Sequence, residues 1–349
     1  MTLKENYFDA AVLQKIKQPL IIKKLKFGKL KKGQVLVKIF YSGICRSQVL
    51  EVDGARGKDI WLPHLIGHEG SGVVEKIGSG VNKVKKGDAV ILTWIKSDGI
   101  DALPAKYKSN GTTINSGRVA TFSTYTVVSE SRLIKKPKGL GFDLAVLFGC
   151  AIPTGMGMVI NEIKPKISNS YAVIGIGGVG IFSILALKAL RVKKIIAIDK
   201  SSDKLNFVKS LGIKHCLNST SFNFKKNFLK ITNQTGVDCC LEASGSTTGI
   251  ELGFSLINKN NGQLLFASHP PSGKKIKIDP HELISGKKIC GSWGGKTYPD
   301  KDIKKYHNIL KNKIKLKKFV KIFKFNQINL ALNEARRSNL ARVILKMEH

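Results

Sequence analysis

Two cysteines and a histidine in the first half of the sequence have the side chains of metal ligands. Cys45 lies in the segment G-I-C-R-S, His68 in G-H-E, and Cys150 in G-C-A-I-P-T-G-M-G. Two thiolates and one imidazole make a tetrahedral zinc site with one open position, the pattern of a catalytic rather than a structural zinc. The three residues are far apart, however, and their spacing alone does not connect them, because a lone cysteine or histidine is more often a core or surface residue.

A glycine-rich segment, G-I-G-G-V-G from Gly175 to Gly180, is typical of dinucleotide binding because it follows a strand pattern and opens a helix pattern. Gly175 permits a tight turn, Gly177 lets the backbone approach a pyrophosphate, and Gly180 allows close packing of helix on sheet. The phosphates would lie at the helix N-terminus. Asp199 ends the next strand pattern, where it would accept hydrogen bonds from ribose hydroxyls and repel a 2′-phosphate, so NAD is favoured over NADP. The alternative is a glycine turn with an unrelated aspartate.

The elements that must position these residues change character near residue 152. Before it, short strand patterns are bounded by Gly, Asp, Asn and Ser. After it, buried strand patterns alternate with helical ones, which indicates a parallel sheet with helices on both faces. Near residue 292 the alternation stops, and the tail is expected to return to the first domain. The predicted strands are 34–39, 71–77, 88–92, 125–128, 171–176, 193–199, 237–243 and 263–267, with helices at 179–190 and 203–211.

The composition favours a two-domain chain with a sizeable core, since it has 349 residues of which 42% are hydrophobic. The polar start, M-T-L-K-E-N-Y-F-D-A, has no signal-peptide pattern, and the longest apolar stretch is rich in glycine, so a cytoplasmic chain without a membrane span is expected. The six cysteines form no regular framework, and disulfides are not expected. The net charge of +35 is spread along the chain in short lysine pairs, so no dedicated nucleic-acid site is expected.

Four motifs in register resemble the zinc-dependent alcohol dehydrogenases of the medium-chain dehydrogenase/reductase family. They are G-I-C-R-S, G-H-E-G-S-G-V-V-E-K-I-G, G-C-A-I-P-T-G-M-G and G-I-G-G-V-G, and the resemblance extends from about residue 10 to the end. It implies an α/β fold in which a Rossmann domain with a doubly wound parallel sheet, residues 152–292, is inserted in a β-rich GroES-like catalytic domain, residues 1–151 and 293–349. It also implies an active site in the cleft and a homodimer or homotetramer.

The resemblance also implies roles for individual residues. Cys45, His68 and Cys150 match the ligands of one zinc, and Glu69 matches a carboxylate that can approach the metal. Ser47 matches the hydroxyl that takes the alcohol proton, while zinc acts as a Lewis acid and a hydride passes to the nicotinamide. The expected cofactor contacts are Arg46 and Arg342 to the pyrophosphate, Thr154 and Val179 beside the nicotinamide, and Lys204 at the adenosine ribose, together with Asp199 and the loop residues Gly175, Gly177, Gly178 and Gly180.

Three features depart from the family pattern. The stretch 95–118 has no cysteine, where many relatives bind a structural zinc with four, so one zinc per chain is expected. Leu50 stands where some members have a histidine that relays protons, so the relay must end at Ser47 and the cofactor ribose, or use water. Gln48 stands where a carboxylate commonly orients the zinc-binding histidine, and a neutral amide is a weaker partner for an imidazole.

The sequence therefore predicts an NAD-dependent zinc dehydrogenase acting on a small-molecule alcohol, or on the matching aldehyde or ketone. Primary alcohols, S-(hydroxymethyl)glutathione-type adducts, polyols and sugar alcohols stay open, although Cys150 as third ligand favours the alcohol-type site over the polyol-type. The alternatives are a zinc-free NADPH reductase of enones or quinones, against which Asp199 and the ligand set argue, and a non-catalytic binding protein. His64 is interpreted as a substrate-pocket or loop residue, and Trp61 and Trp94 are possible borders of that pocket.

Overall fold

The computed structural model describes residues 7–311, 316–337 and 342–349. The described residues fall into two compact units, one within residues 1–150 and 298–349 and the other within residues 151–297. Each unit has its own buried apolar clusters. Residues 1–6, on which the prediction of cellular location partly rests, lie outside the described part.

The first part of the chain is β-rich, as the strand patterns predicted. A closed barrel joins β1, β2, β7, β8 and β4 in that order, and every pairing is antiparallel except β8 with β4. The elements are β1 (Tyr7–Leu13), β2 (Ile21–Phe27), β3 (Gln34–Gly43), α1 (Arg46–Val52), β4 (His64–Leu65), β5 (Glu69–Ile77), β6 (Ala89–Thr93), β7 (Tyr107–Ser109), β8 (Thr112–Ser116), β9 (Tyr125–Ser129), β10 (Leu133–Lys135) and α2 (Phe142–Ala145).

The middle of the chain forms a six-stranded parallel sheet with strand order β13-β12-β11-β14-β15-β16. Its central strands are apolar because they are buried. This order is that of a doubly wound Rossmann sheet, as predicted. The elements are α3 (Ala151–Gly157), β11 (Ser170–Ile174), α4 (Gly178–Ala189), β12 (Lys194–Asp199), α5 (Ser202–Ser210), β13 (His215–Asn218), α6 (Phe224–Ile231), β14 (Cys239–Glu242), α7 (Thr247–Leu256), β15 (Gln263–Phe266), α8 (Pro280–Ile284) and β16 (Lys288–Gly291).

The tail supplies two strands to the larger sheet of the first unit. Strand β18 pairs antiparallel with β3 and parallel with β17, which gives the order β10-β6-β5-β3-β18-β17, with β9 also on β3. Cys45 follows β3 and Glu69 begins β5, so this sheet carries both residues at one end. The described elements of the tail are α9 (Pro299–Leu310), β17 (Val320–Lys324), α10 (Ile328–Arg336) and β18 (Arg342–Lys346).

The cysteine-free segment 95–118 is held by a buried carboxylate and by strand pairing. Glu130 accepts hydrogen bonds from the backbone N–H groups of Asn82 (2.6 Å), Lys83 (2.5 Å) and Ile100 (2.9 Å). Asp101 contacts the guanidinium groups of Arg118 (3.1 Å) and Arg132 (3.3 Å). The second half of the segment contains β7 and β8 of the barrel. Hydrogen bonds and ion pairs therefore fix this segment.

The apolar helices of the described residues are short. Helix α4 has 12 residues, most of them buried. No single described helix combines the length and apolar composition needed to cross a membrane, and Phe142–Gly149 and Ala151–Ile163 meet the test only when joined as a bent pair.

Candidate active site

Cys45 is presented by the junction of strand β3 and helix α1. It is the residue that precedes the helix, with an extended backbone (φ −90°, ψ 156°). Its N–H group, which has no partner within the helix, donates to the side-chain oxygen of Gln48 at 3.1 Å. The same junction places Arg46, which is exposed, and Ser47, whose Oγ is buried without a hydrogen-bond partner among the described residues.

His68 and Glu69 are positioned by the turn between strands β4 and β5. Gly67 has φ +95°, in the left-handed region, and a Cβ there would lie 2.6 Å from Oγ1 of Thr121, so only glycine fits this turn. Next to it, Nε2 of His68 and Oε2 of Glu69 are buried without a hydrogen-bond partner among the described residues. Unpartnered buried polar atoms are costly, and here they face the same cluster.

Cys150 completes this cluster from a distant part of the sequence. It follows a 3₁₀ turn, Val146–Gly149, which is held in place because Oγ1 of Thr93 donates to the carbonyl of Gly149 at 2.8 Å. One donor atom from each of Cys45, His68, Glu69 and Cys150 lies within 4.8 Å of all the others. The structure thus brings the three predicted metal ligands and the predicted neighbouring carboxylate together. Two sulfurs and an imidazole nitrogen are a donor set that suits zinc.

The two thiols differ in how readily they lose their protons. A hydrogen bond from the thiol of Cys150 lowers the pKa of Cys45 well below its usual range, and the positive charge of Arg342 acts in the same direction. The pKa of Cys150 is raised by that same hydrogen bond and by burial. Cys45 is therefore the sulfur that most readily becomes the thiolate a metal requires.

Arg342 lies against the cluster rather than in solvent. Its Nη2 donates to Oε1 of Glu69, and both side chains are buried. Burial disfavours the charged guanidinium, but Glu69 and the two thiols outweigh it and raise the pKa of Arg342. Burial likewise raises the pKa of Glu69, although Arg342 opposes this. The predicted contact of Arg342 with a pyrophosphate stays a prediction.

Gln48 and Trp94 contact the histidine of the cluster. The amide nitrogen of Gln48 lies 2.6 Å from Nδ1 of His68. The indole of Trp94 meets the imidazole edge-on, with ring centroids 6.4 Å apart. Because Nδ1 is engaged by Gln48, Nε2 is the nitrogen left to face the cysteines.

The glycine-rich loop has the geometry that its motif predicts. It connects β11 to α4, and Gly175 has φ +83°. A Cβ on Gly180 would lie 2.0 Å from the carbonyl oxygen of Gly175, so the helix can approach the strand only without a side chain there. A Cβ on Gly177 would meet no heavy atom within 4 Å, which leaves open space before the N-terminus of α4, where Gly178 is the first helical residue.

Asp199 closes this loop against the next strand. Its Oδ2 accepts the N–H of Ile176 at 2.7 Å and its Oδ1 accepts the N–H of Ser201 at 2.9 Å. Each oxygen retains a second lone pair that can accept from a ribose hydroxyl. Lys204 lies in the first turn of α5, and its N–H is capped by the hydroxyl of Ser201. Both residues are largely buried.

Thr154 and Val179 lie where helices α3 and α4 pack closely. A Cβ on Gly155 would lie 2.3 Å from the carbonyl oxygen of Val179, and Ser183 donates to the carbonyl of Gly155 at 2.9 Å. Oγ1 of Thr154 is buried without a hydrogen-bond partner among the described residues. Their predicted place beside a nicotinamide stays a prediction.

A cavity of about 1120 Å³ within the first unit reaches the metal-ligand cluster. His68 and Gln48 form part of its wall, and so does Trp61, one of the predicted pocket residues. His64, interpreted from the sequence as a substrate-pocket or loop residue, also lines this wall, and the sequence interpretation missed Glu51 and Asp59, which lie close to it. The sequence signal that could have indicated Glu51 was its position one helical turn after Ser47.

Two family models match consecutive parts of the sequence. Residues 31–138 match the alcohol dehydrogenase GroES-like domain, and residues 178–312 match the zinc-binding dehydrogenase domain. Together they account for more than half of the chain. The chain belongs to the zinc-dependent alcohol dehydrogenase family. This confirms the predicted family and fold class, and it identifies an oxidoreductase of the alcohol dehydrogenase type.

Solved structures of this family superpose over nearly the whole chain. An alcohol dehydrogenase zinc-binding domain protein from Burkholderia ambifaria has 26% identity and a TM-score of 0.88, covering 98% of this chain and 99% of that one. Benzyl alcohol dehydrogenase from Acinetobacter calcoaceticus has 27% identity and a TM-score of 0.87, with the same coverage. Zinc dependent alcohol dehydrogenase 2 from Streptococcus pneumonia, at 23% identity and a TM-score of 0.82, shares the fold over 98% of this chain and 99% of its own.

Proposed function

We propose that this dehydrogenase transfers a hydride between a small alcohol, or the matching aldehyde or ketone, and NAD at a single zinc site. The observation that carries the proposal is the convergence of Cys45, His68, Glu69 and Cys150, whose donor atoms lie within 4.8 Å of one another. Family membership makes alcohol oxidation the expected reaction. A cytoplasmic homodimer or homotetramer is part of the same proposal.

In this proposal Cys45, His68 and Cys150 hold the metal, and Ser47 takes the hydroxyl proton. Nε2 of His68 and Oγ of Ser47 support these roles, since both are buried polar atoms without a partner in the described part of the chain. When bound, zinc supplies Lewis acidity at the substrate oxygen and NAD supplies a hydride acceptor. Glu69, held by Arg342, is the carboxylate that would approach the metal when ligands exchange.

The preference for NAD rests on Asp199 at the end of β12. Its two oxygens are already fixed by the N–H groups of Ile176 and Ser201, so the carboxylate cannot swing away from a 2′-phosphate without losing both bonds. A fixed carboxylate accepts ribose hydroxyls and repels a phosphate dianion. Lys200, which is exposed beside it, is the residue that would weaken the preference for NAD over NADP.

The substrate is an alcohol whose identity the site leaves open. Benzyl alcohol is the named substrate of one relative, and the cavity wall contains Trp61 and Leu103, which favour apolar contact. A panel of benzyl alcohol, primary aliphatic alcohols, a polyol and S-(hydroxymethyl)glutathione therefore covers the classes that the family allows.

The test combines metal content with cofactor reduction in the purified protein. Zinc is measured by elemental mass spectrometry after loosely held ions are removed, and NADH or NADPH formation is followed over the alcohol panel. We expect about one zinc per chain and turnover with NAD. Cys45→Ser should lose zinc and turnover together, whereas Cys290→Ser, which changes an exposed cysteine, should retain both.

Other outcomes would contradict the proposal. Near-zero zinc with no activity on adding it back would overturn the proposal and favour a zinc-free reductase. Turnover with NADPH on an enone, without alcohol oxidation, would do the same. About two zinc ions per chain would contradict a single site and direct attention to Glu51, Asp59 and His64.

A further inference from the structure

Helix α1 carries a second polar side chain on the face that presents Ser47. Glu51 lies four residues after Ser47 within the helix Arg46–Val52. Residues at this spacing are neighbours on one helix face, with Cβ atoms roughly 5–6 Å apart. Leu50, between them in sequence, is buried and has no titratable group. A single water can join a hydroxyl and a carboxylate across such a spacing.

Glu51 lies beside an ordered pair from the adjoining loop and strand. Nε2 of His64 lies 2.8 Å from Oδ2 of Asp59, and Nδ1 of His64 lies 3.0 Å from the carbonyl oxygen of Leu65, so both ring nitrogens have partners. A carboxylate oxygen of Glu51 lies within 4.8 Å of donor atoms from both residues. On the other side, Nη1 of Arg56 is 3.7 Å from Oε2 of Glu51.

The same three residues line the cavity that reaches the metal-ligand cluster. Glu51, Asp59 and His64 share this cavity with His68. Lys58, also on the wall, is exposed to solvent. A proton that arrives at Glu51 therefore has an aqueous route out of the first unit without crossing the apolar core.

We propose that Glu51 receives the hydroxyl proton from Ser47 through one water. This inference rests on the proposed function. The alcohol gives its hydride to NAD and its hydroxyl proton to Oγ of Ser47. Ser47 passes its own proton to the water, and the water passes one to the carboxylate of Glu51. Solvent in the cavity then removes the proton, and carbonyl reduction uses the reverse path.

The charges around Glu51 suit this role. Burial raises the pKa of Glu51 above its usual value and Asp59 adds to this, while His64, Arg56 and His68 oppose it. Lys58 is a further cation on the cavity wall. A carboxylate whose pKa lies closer to 7 is a stronger base, so it accepts a proton more readily at neutral pH.

The experiment replaces Glu51→Gln, which keeps the size of the side chain and removes the acceptor charge. We expect kcat for NAD-linked alcohol oxidation to fall about tenfold or more, with loss of the acidic limb of the pH profile. Small weak bases such as imidazole or formate should restore turnover. Zinc content and Tm should match the wild type. The control is Asp53→Asn, a carboxylate at the end of the same helix that pairs with Arg336 instead and should show no rescue.

Three results would overturn the inference. The first is a Glu51→Gln variant with the wild-type pH profile, and the second is a loss of kcat that no added base restores. The third is loss of zinc, which would make Glu51 structural. Glu51→Asp serves if the glutamine variant fails to fold: a lower kcat that retains the acidic limb supports the relay, and an unchanged kcat contradicts it. A wild type without any NAD-linked turnover would instead contradict the proposed function.

Discussion

Arg342 donates a hydrogen bond to the carboxylate of Glu69, and the two side chains are 11% and 0% exposed. The residues come from β18 and β5, which lie on either side of β3 in the larger sheet. The tail of the chain thus neutralises a carboxylate beside the metal-ligand cluster. A buried charge pair of this kind gives little net stability, but removing one partner leaves the other charge uncompensated.

Arg342→Met should therefore lower the free energy of unfolding by about 3–5 kcal/mol. The double variant Arg342→Met with Glu69→Gln should recover much of this loss, because no buried charge is left alone. Urea denaturation of both single variants and the double variant measures the coupling. Arg337→Met, which changes an exposed arginine with a 3.9 Å contact to Glu334, should change stability by less than about 1 kcal/mol. Additive effects at Arg342 and Glu69 would show that the two do not interact.

Gln48 can satisfy only one of the two donors that face it when His68 binds metal. Its oxygen accepts the N–H of Cys45, and its NH₂ group therefore faces Nδ1 of His68. Binding of a metal through Nε2 places the remaining imidazole proton on Nδ1, where it needs an acceptor. A carboxylate has two oxygens and would accept from both groups.

Gln48→Glu should consequently strengthen zinc binding by about tenfold or more. The measurement is competition with a chelator of known zinc affinity, followed by the rate of zinc loss. Gln327→Glu, which adds the same charge at an exposed position, should leave zinc affinity unchanged. An equal effect of both variants would assign the gain to net charge rather than to the hydrogen bond with His68.

The residues that the sequence could connect are those whose relation is local. The turn at Gly175, the following helix and Asp199 one strand later all belong to one βαβ unit, so the pattern of the segment predicts their geometry. By contrast, Cys45 and Cys150 meet only because β3, β5 and β6 pair and Thr93 fixes the turn before Cys150. The spacing of residues along the sequence does not reveal such long-range strand pairing, and only the resemblance to a family predicted it.

Other elements were missed for similar reasons. The hairpin β7–β8 lies in a segment for which the sequence pattern predicts no strand, and its pairing depends on closure of the barrel by β4. The proximity of Glu51 to His64 and Asp59 brings a helix close to this barrel, and no local sequence pattern indicates it. Strand β13 is only partly buried, which removes the apolar run that predicts a buried strand.

Glu130 anchors the cysteine-free segment 95–118. Its two oxygens accept three backbone N–H groups, from Asn82, Lys83 and Ile100. Glu130→Gln replaces one acceptor with a donor and leaves at least one of these N–H groups unsatisfied. We expect a loss of about 1–3 kcal/mol in the free energy of unfolding and faster proteolysis within 95–118. Glu348→Gln, at an exposed position, is the control, and equal stability of both variants would contradict the anchor.

Glu242 ends strand β14 beneath the glycine-rich loop and is fully buried. Its Oε1 accepts the N–H of Ser244 at 2.6 Å, whereas Oε2 has no hydrogen-bond partner among the described residues. Burial raises the pKa of Glu242 to about 7, against 4.5 for a free side chain, although the bonds from Ser244 oppose the shift. Between these values the folded chain holds a proton that the unfolded chain has released.

Below pH 4.5 Glu242 is protonated in both states and does not lower the free energy of unfolding. As the pH rises from 4.5 to about 7, its ionisation in the unfolded chain lowers that free energy progressively. Glu242→Gln has no such titration, so its Tm should exceed that of the wild type by an amount that grows over this window and levels off above it. The measurement is the difference in Tm between the two proteins at half-unit pH steps. Glu251→Gln, on the exposed side of α7 with a 2.8 Å bond from the N–H of Lys277, controls for the loss of one negative charge. A difference in Tm that stays constant with pH would mean that Glu242 is ionised throughout.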